Sequence, residues 1–379
     1  MALPIYLDYN GTTPHAPEVI EAMLPFLKSE FGNPSSSHWF GIAPKRAVMG
    51  ARTQVAELLG CMTGEVLFTS GGTESNNQAL RSFWGKRDPE RSHLITSSIE
   101  HPAILEVCRF METCGCAVTV VPVDADGLVS LSDVEAAIRP DTLLISIMHA
   151  NNEVGTIQPI AEIAQLARRH GILMHTDAAQ SIGKIPFCVD DLGVDLLSVA
   201  GHKIYAPKGV GALYIRDGIE SGVFCHGAGQ ENGRRAGTEN VLGIVGLGKA
   251  CELAATELKS TTHRLEEMRD RLENGLAASL TDLRFNGHRK LRLPNTCSVS
   301  FFDLEANRLL EEIGLDVAAS AGAACHADHV EVSHVLKAMQ VPEQWAKGTL
   351  RFTTGRYTTV AEIDRALESI VAAVKRLRR

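Results

Sequence analysis

Apolar, β-prone runs recur through the first half of this chain with helical patterns between them, and that alternation narrows the possible folds more than any other feature. The runs are Val66-Leu67-Phe68-Thr69, His93-Leu94-Ile95-Thr96, Val118-Thr119-Val120-Val121, Leu143-Leu144-Ile145-Ser146-Ile147 and Ile172-Leu173-Met174-His175. Between them, segments such as 160–170 carry Ile160, Ile163, Ala164, Leu166 and Ala167 at helical spacing. Arg168 and Arg169 fall in that last turn, where positive charge suits the helix dipole. Strand and helix in strict alternation predict an α/β fold with a mostly parallel sheet wrapped by crossover helices. Two further runs, Leu196-Leu197-Ser198-Val199 and Gly211-Ala212-Leu213-Tyr214-Ile215, enclose a polar stretch containing His202 and Lys203. Lys203 is therefore expected at a strand end.

From about residue 240 the pattern changes. A long helix is expected over about 241–280, with Glu257, Lys259, Arg264, Glu266, Glu267 and Arg269 on exposed positions. It reads as the bridge to a smaller domain, built from a strand at 296–302, a short helix at 305–313, a polar loop at 318–330 and a final helix at 360–377. The expected division is a large domain over residues 15–250 and a smaller α+β domain over 1–14 and 251–379.

The 379 residues, 45% hydrophobic and 22% charged, suffice for two cores. A net charge of −8 gives no broad basic surface, which excludes duplex nucleic acid as the main ligand while leaving room for small anions locally. With no basic leader and no apolar run of membrane-spanning length, a cytoplasmic protein away from the membrane is expected. The nine cysteines are odd in number and scattered, so reduced thiols are expected. Cys114-Gly115-Cys116 has no matching second pair, so no metal site is expected.

Three clusters carry chemistry. In Thr69-Ser70-Gly71-Gly72-Thr73-Glu74-Ser75-Asn76-Asn77 a strand runs through glycines into a helix, so bare amides and a threonine hydroxyl suit a phosphate; taken alone, an ordinary turn with Thr73 as N-cap fits better. In His175-Thr176-Asp177-Ala178-Ala179-Gln180 a carboxylate ends a buried strand at the carboxyl edge of the sheet, where ligands of such sheets bind. Gly201-His202-Lys203 follows. Taken alone, Lys203 is readable as a solvated lysine and Asp177 as a helix cap. Together, an amine, a carboxylate and an anion cradle are what pyridoxal 5'-phosphate needs: a Schiff-base partner, a group to keep its ring nitrogen protonated, and phosphate donors.

These residues resemble the class V group of fold-type I pyridoxal-phosphate enzymes, specifically the cysteine desulfurases and the related selenocysteine lyases. The likeness spans nearly the whole chain. It includes Tyr6-Leu7-Asp8-Tyr9-Asn10-Gly11-Thr12-Thr13-Pro14, Phe31-Gly32-Asn33-Pro34, Ala150-Asn151-Asn152-Glu153-Val154-Gly155, Arg235-Ala236-Gly237-Thr238-Glu239-Asn240, Gly322-Ala323-Ala324-Cys325 and Leu350-Arg351-Phe352-Thr353-Thr354-Gly355-Arg356. It implies a large domain with a mostly parallel seven-stranded sheet, and a homodimer with shared active sites. By position, Lys203 matches the Schiff-base lysine, Asp177 the partner of the ring nitrogen, His101 the stacking and proton-transferring histidine, and Gln180 the donor to the ring hydroxyl. Gly72, Thr73 and His202 match phosphate contacts, and Thr238 the residue supplied by the neighbouring subunit. Asn152 matches a ligand near hydroxyl and substrate, while Arg356, with Asn33 close by, matches the substrate-carboxylate clamp. Ala200 stands where many desulfurases carry a phosphate-binding serine, which leaves only its backbone amide for that task.

Cys325, in Ser320-Ala321-Gly322-Ala323-Ala324-Cys325-His326-Ala327-Asp328-His329, is readable from its neighbours as a buried thiol, a metal ligand or a nucleophile. The resemblance implies the nucleophile that accepts sulfur from L-cysteine and passes a persulfide to an acceptor or iron–sulfur scaffold protein. The surroundings of Cys325 and the apolar Ala200 lean toward selenocysteine lyases; Arg234-Arg235-Ala236-Gly237-Thr238 and Glu100-His101-Pro102-Ala103 are similar to ordinary bacterial desulfurases. Desulfurase is the first expectation and selenocysteine lyase the second. A non-catalytic scaffold for sulfur transfer is the third, and it has no need of intact Lys203, Asp177 and His101.

Overall fold

In the computed structural model the described residues are 4–83, 92–326 and 329–379, with 323–326 and 329–331 described through their backbone. A seven-stranded sheet runs in spatial order Val66–Thr69, Gly211–Ile215, Leu196–Ala200, Leu173–Asp177, Thr142–Ser146, His93–Ser97, Ala117–Val121. The last five of these are mutually parallel, and Gly211–Ile215 is antiparallel to both of its neighbours. The expected α/β architecture is therefore present, with strand boundaries within a residue or so of the apolar runs.

Successive strand residues point to opposite faces, and both faces are covered. On one face Val66, Phe68, Ile95, Met174, Leu197 and Val199 meet Ile163 and Leu166 of helix Ile160–Arg169 and Ile244, Leu247 and Ala250 of helix Val241–Ser279. On the other, Leu67, Leu94, Leu173, Leu196 and Leu213 meet Leu80 and Ile104 from helices Gly72–Arg81 and Pro102–Thr113. Apolar contact on both sides explains why these strands read as continuous runs.

An antiparallel four-stranded sheet follows the spatial order Ser320–Ala321, Thr349–Thr353, Thr296–Phe301, Leu283–Asn286. Its core gathers Val299, Phe301, Leu350 and Phe352 with Leu309 of helix Ala306–Ile313 and Ile370 of helix Val360–Leu377. Helix Val241–Ser279 enters this core too, through Met268, Leu272 and Leu276. Ile5 and Leu7 join it, and strand Ile5–Tyr6 lies parallel to Val317–Ala318.

The loop expected at 318–330 is corrected. Ser320–Ala321 joins the small sheet, and Ala323–His326 pairs antiparallel with His329–Val332, setting Cys325 opposite Val330. Small and polar residues give no periodic apolar signal there, so only pairing with distant partners defines these strands. Among the described residues no helix is long and apolar enough to cross a membrane.

Candidate active site

The carboxyl ends of the parallel strands open into a cavity of about 400 Å³, within the range of small-molecule pockets. Strand Leu173–Asp177 delivers Asp177 as its last residue. Strand Leu196–Ala200 ends at Ala200, and the short 3-10 turn Gly201–Lys203 swings Lys203 back over the same opening. Helix Gly72–Arg81 starts there from Gly71 (φ 144°), a conformation that suits glycine, and among the described residues no side chain caps its first N–H groups. Thr73 therefore lies inside the helix rather than capping it. His101 caps helix Pro102–Thr113, its Nδ1 accepting from Ala103 N at 3.0 Å. In the neutral ring that bond leaves the hydrogen on Nε2.

Gly72, Thr73, His101, Asn152, Asp177, Gln180, Ala200, His202 and Lys203 all line this cavity. Asp177 is buried, with Oδ2 accepting from Asn76 Nδ2 at 2.7 Å and Oδ1 from Ala179 N at 2.9 Å. Lys203 Nζ donates to the carbonyls of Asn10 (2.6 Å) and Gly11 (2.7 Å). Burial, helped by the Arg351 charge and opposed by Asp8 and Asp177, pulls its amine down to about 8. About a tenth is then neutral, and so nucleophilic, at pH 7. Burial likewise lowers His101, an effect that Asp177 opposes and Lys203 reinforces. His202, with Nδ1 3.1 Å from Thr12 Oγ1, is pulled down to about 4 by burial and then by Lys203.

Three expected residues are elsewhere. Arg356 does not line this cavity; its Nη2 pairs with Glu257 (2.8 Å) and Glu18 (3.1 Å), beside a separate void of about 40 Å³. Two carboxylates already occupy that guanidinium, which leaves it ill placed to clamp a third. Asn33 is exposed, its Oδ1 bonded to Ser35 N at 2.9 Å, and Thr238 is exposed on the segment before helix Val241–Ser279.

The cavity also contains Asn10, Gly11, Asn76 and Arg351, to which the sequence reading gave no role. Arg351 reaches Asp8 (2.7 Å), Ser320 Oγ and Asn152 O (both 3.0 Å), while its buried Nε has no partner among the described atoms. A legible signal was available for it. Leu350 and Phe352 are both core residues, so alternation along a strand turns Arg351 to the other face.

Glu100, just before His101, is wholly buried: Oε1 accepts from Ser97 Oγ (2.5 Å) and Met148 N (2.9 Å), and Oε2 has no partner among the described atoms. Burial pushes its carboxyl from the ordinary 4.5 up to about 8. The folded protein thus keeps a proton that the unfolded chain releases between those values. The associated stability is complete below the window and lost as pH rises through it, by up to about 1.4 kcal/mol per pH unit. Thermal unfolding of Glu100→Gln, compared with the parent across that range, should show a smaller decline; equal declines would contradict the assignment.

The lining fits pyridoxal phosphate on chemical grounds. An uncapped helix N-terminus suits the phosphate, the held carboxylate of Asp177 suits a protonated ring nitrogen, and a lysine with lowered proton affinity suits an aldehyde.

The chain is also similar to known proteins. Residues 5–366 match the model of the family described as aminotransferase class-V. The chain is 48% identical over 379 residues to cysteine desulfurase IscS of Dictyoglomus turgidum, covering 100% of this chain and 96% of that protein. It is 47% identical over 375 residues to cysteine desulfurase IscS of Methanosarcina thermophila, covering 99% and 93%. Among solved structures it is similar to a NifS-like protein (TM-score 0.93, 38% identity, 98% of this chain and 100% of that one). It is also similar to SspA in complex with cysteine (TM-score 0.82, 40% identity, 93% and 99%).

Proposed function

Because the chain belongs to the class-V aminotransferase family, among the cysteine desulfurases of fold-type I, we propose that it takes sulfur from L-cysteine, releasing L-alanine and leaving a persulfide on Cys325. The observation that carries this reading is the meeting of Lys203, Asp177 and the open N-terminus of helix Gly72–Arg81 around one cavity.

Pyridoxal phosphate held there supplies an aldehyde for an amine and an electron-withdrawing ring that acidifies the Cα–H of a joined amino acid. Asp177 keeps the ring nitrogen protonated, and Gly72, Thr73 and His202 hold the phosphate. Lys203, once its amine is free, takes the Cα proton, a task suited to a base with affinity near working pH. His101 passes protons beside it. Arg351 binds the substrate carboxylate as a planar fork. The Cys325 thiolate bonds to the substrate sulfur as the Cβ–S bond breaks; the electron pair stays with the carbon fragment, which takes up protons and leaves as alanine. The sulfur then passes to an acceptor protein such as an iron–sulfur scaffold. The exposure of Thr238 supports a homodimer in which it serves the partner's cavity.

Arg351→Ala should raise KM for L-cysteine by roughly 10- to 100-fold, the scale of a lost pair of charge-assisted hydrogen bonds. Arg356→Ala should change it by less than about threefold. The reverse ranking in steady-state kinetics would return the clamp to Arg356.

The apolar Ala200 beside Gly72 favours a second reading, a selenocysteine lyase. Alanine release from L-cysteine and L-selenocysteine, measured side by side on the cofactor-loaded protein, tests both. Comparable or better turnover of cysteine is expected. A large selenium preference selects the second reading, and no alanine from either substrate rejects both.

A further inference from the structure

Lys184 is a buried lysine to which the chemistry above gives no task. Its Nζ donates to two side-chain amide oxygens, Gln180 Oε1 and Asn10 Oδ1, each at 2.8 Å. The local chain is shaped for this. Gly183 takes a left-handed φ of 69°, and a Cβ there would meet Ile204 Cγ2 and Ala254 Cβ at 3.2 Å, so the turn closes tightly and brings Lys184 under Gln180. Thr262 Oγ1 bonds the Lys184 carbonyl at 2.8 Å and fixes the backbone from the other side.

We propose that Lys184 is a positioning residue: by occupying Gln180 Oε1, it makes the Nε2 donor the only part of that amide which Gln180 presents to the ligand cavity. The inference rests on the reading that this cavity takes pyridoxal phosphate. A glutamine amide exchanges donor and acceptor by flipping about its last torsion. Here a flip turns the amide NH₂ against the Lys184 donor in a buried place and removes the 3.0 Å bond from Gln180 Nε2 to Asn10 O. Asn10 is held more heavily, since its Oδ1 also accepts from Asn295 Nδ2 (3.0 Å) and its Nδ2 donates to Thr296 Oγ1 (2.9 Å) and Asn152 O (3.1 Å). Gln180 is thus the amide whose orientation depends most on Lys184. Burial, reinforced by Lys203 and Arg351, holds the Lys184 amine well below the ordinary lysine range. As an ammonium Lys184 can only donate, and the flipped NH₂ meets a donor; as a neutral amine it also has a lone pair, and the flip is then opposed by the loss of the Gln180 Nε2–Asn10 O bond.

A fixed donor beside an ionisable ring hydroxyl stabilises the hydroxyl's anion, so its loss moves the pH titration of the bound cofactor's visible band upward. Lys184→Met should raise that midpoint by about half to one unit. Gln180→Ala should raise it equally, and the double variant no further than either alone. A Lys184→Met protein that unfolds at lower temperature yet titrates like the parent overturns the proposal, as do additive shifts in the double variant. If Lys184→Met does not fold, Gln180→Glu decides with Lys184 intact. Its carboxylate pairs with the lysine but has no amide donor to offer, so its midpoint should rise as in Gln180→Ala; a midpoint like the parent's overturns the proposal. A parent protein that forms no visible band with pyridoxal phosphate shows instead that the cofactor reading has failed, and the proposal falls with it.

Discussion

Lys203→Ala should reduce alanine production by at least about 10⁴-fold, the largest effect expected of any single change, because one amine serves both to join the cofactor and to move the Cα proton. Asp177, His202 and the open helix N-terminus remain in the variant, so cofactor binding should weaken rather than vanish. Borohydride gives the sharper readout. In the parent it should fix the cofactor covalently to the peptide containing Lys203, and in Lys203→Ala it should fix none. Lys184 is the instructive control, being a lysine more deeply buried than Lys203 and bonded to the same residue, Asn10. Cofactor fixed to Lys184 in the parent protein would contradict the assignment of Lys203. The environments separate the two: Lys203 lines the large cavity and is held by backbone carbonyls, whereas Lys184 does not line it and is spent on two amide oxygens.

Cys325→Ser should abolish sulfur transfer while leaving the visible absorbance of the bound cofactor unchanged. A hydroxyl of nearly the same size cannot carry a persulfide, and a loss of about 10³-fold or more in sulfide released with a thiol reductant is the scale of a missing nucleophile. Unchanged sulfide production would remove Cys325 from the mechanism and favour a pyridoxal-phosphate lyase in which that thiol is incidental. Three of the other described cysteines are poor substitutes. Cys108, Cys251 and Cys297 are buried, with thiols pushed up by burial, and none of them lines the cavity.

The large sheet was readable because all its strands except the edge strand Ala117–Val121 are buried on both faces. Runs such as Leu196-Leu197-Ser198-Val199 need no distant partner to declare themselves, and Asp177 and Lys203 stand where two of these runs end. The small sheet was harder, since Leu283–Asn286 and Thr349–Thr353 take shape through pairing with Thr296–Phe301. The choice of arginine shows the same difficulty on the scale of one motif. Arg351 and Arg356 share the segment Leu350 to Arg356, but Arg351 is on the strand and turns to the cavity while Arg356 lies past its end, held by Glu18 and Glu257. Linear order does not reveal that Glu18, on helix Pro17–Lys28, will be there. Asn10 and Asn76 were overlooked for another reason. Asparagine in a turn or a first helical turn suggests local capping, yet here both are buried and bond across the chain, Asn76 to Asp177 and Asn10 to Thr296.

The central claim is that Lys203 and Cys325 act in one reaction, the first on the substrate's carbon and the second on its sulfur. Mixing the cofactor-loaded protein with an equimolar amount of L-cysteine, in the absence of reductant, and weighing its peptides tests that claim most directly. The account predicts alanine in the supernatant and one added sulfur atom on the peptide containing Cys325, removable by a thiol. Alanine formed with that peptide unchanged in mass, or sulfur carried on another cysteine, would contradict it.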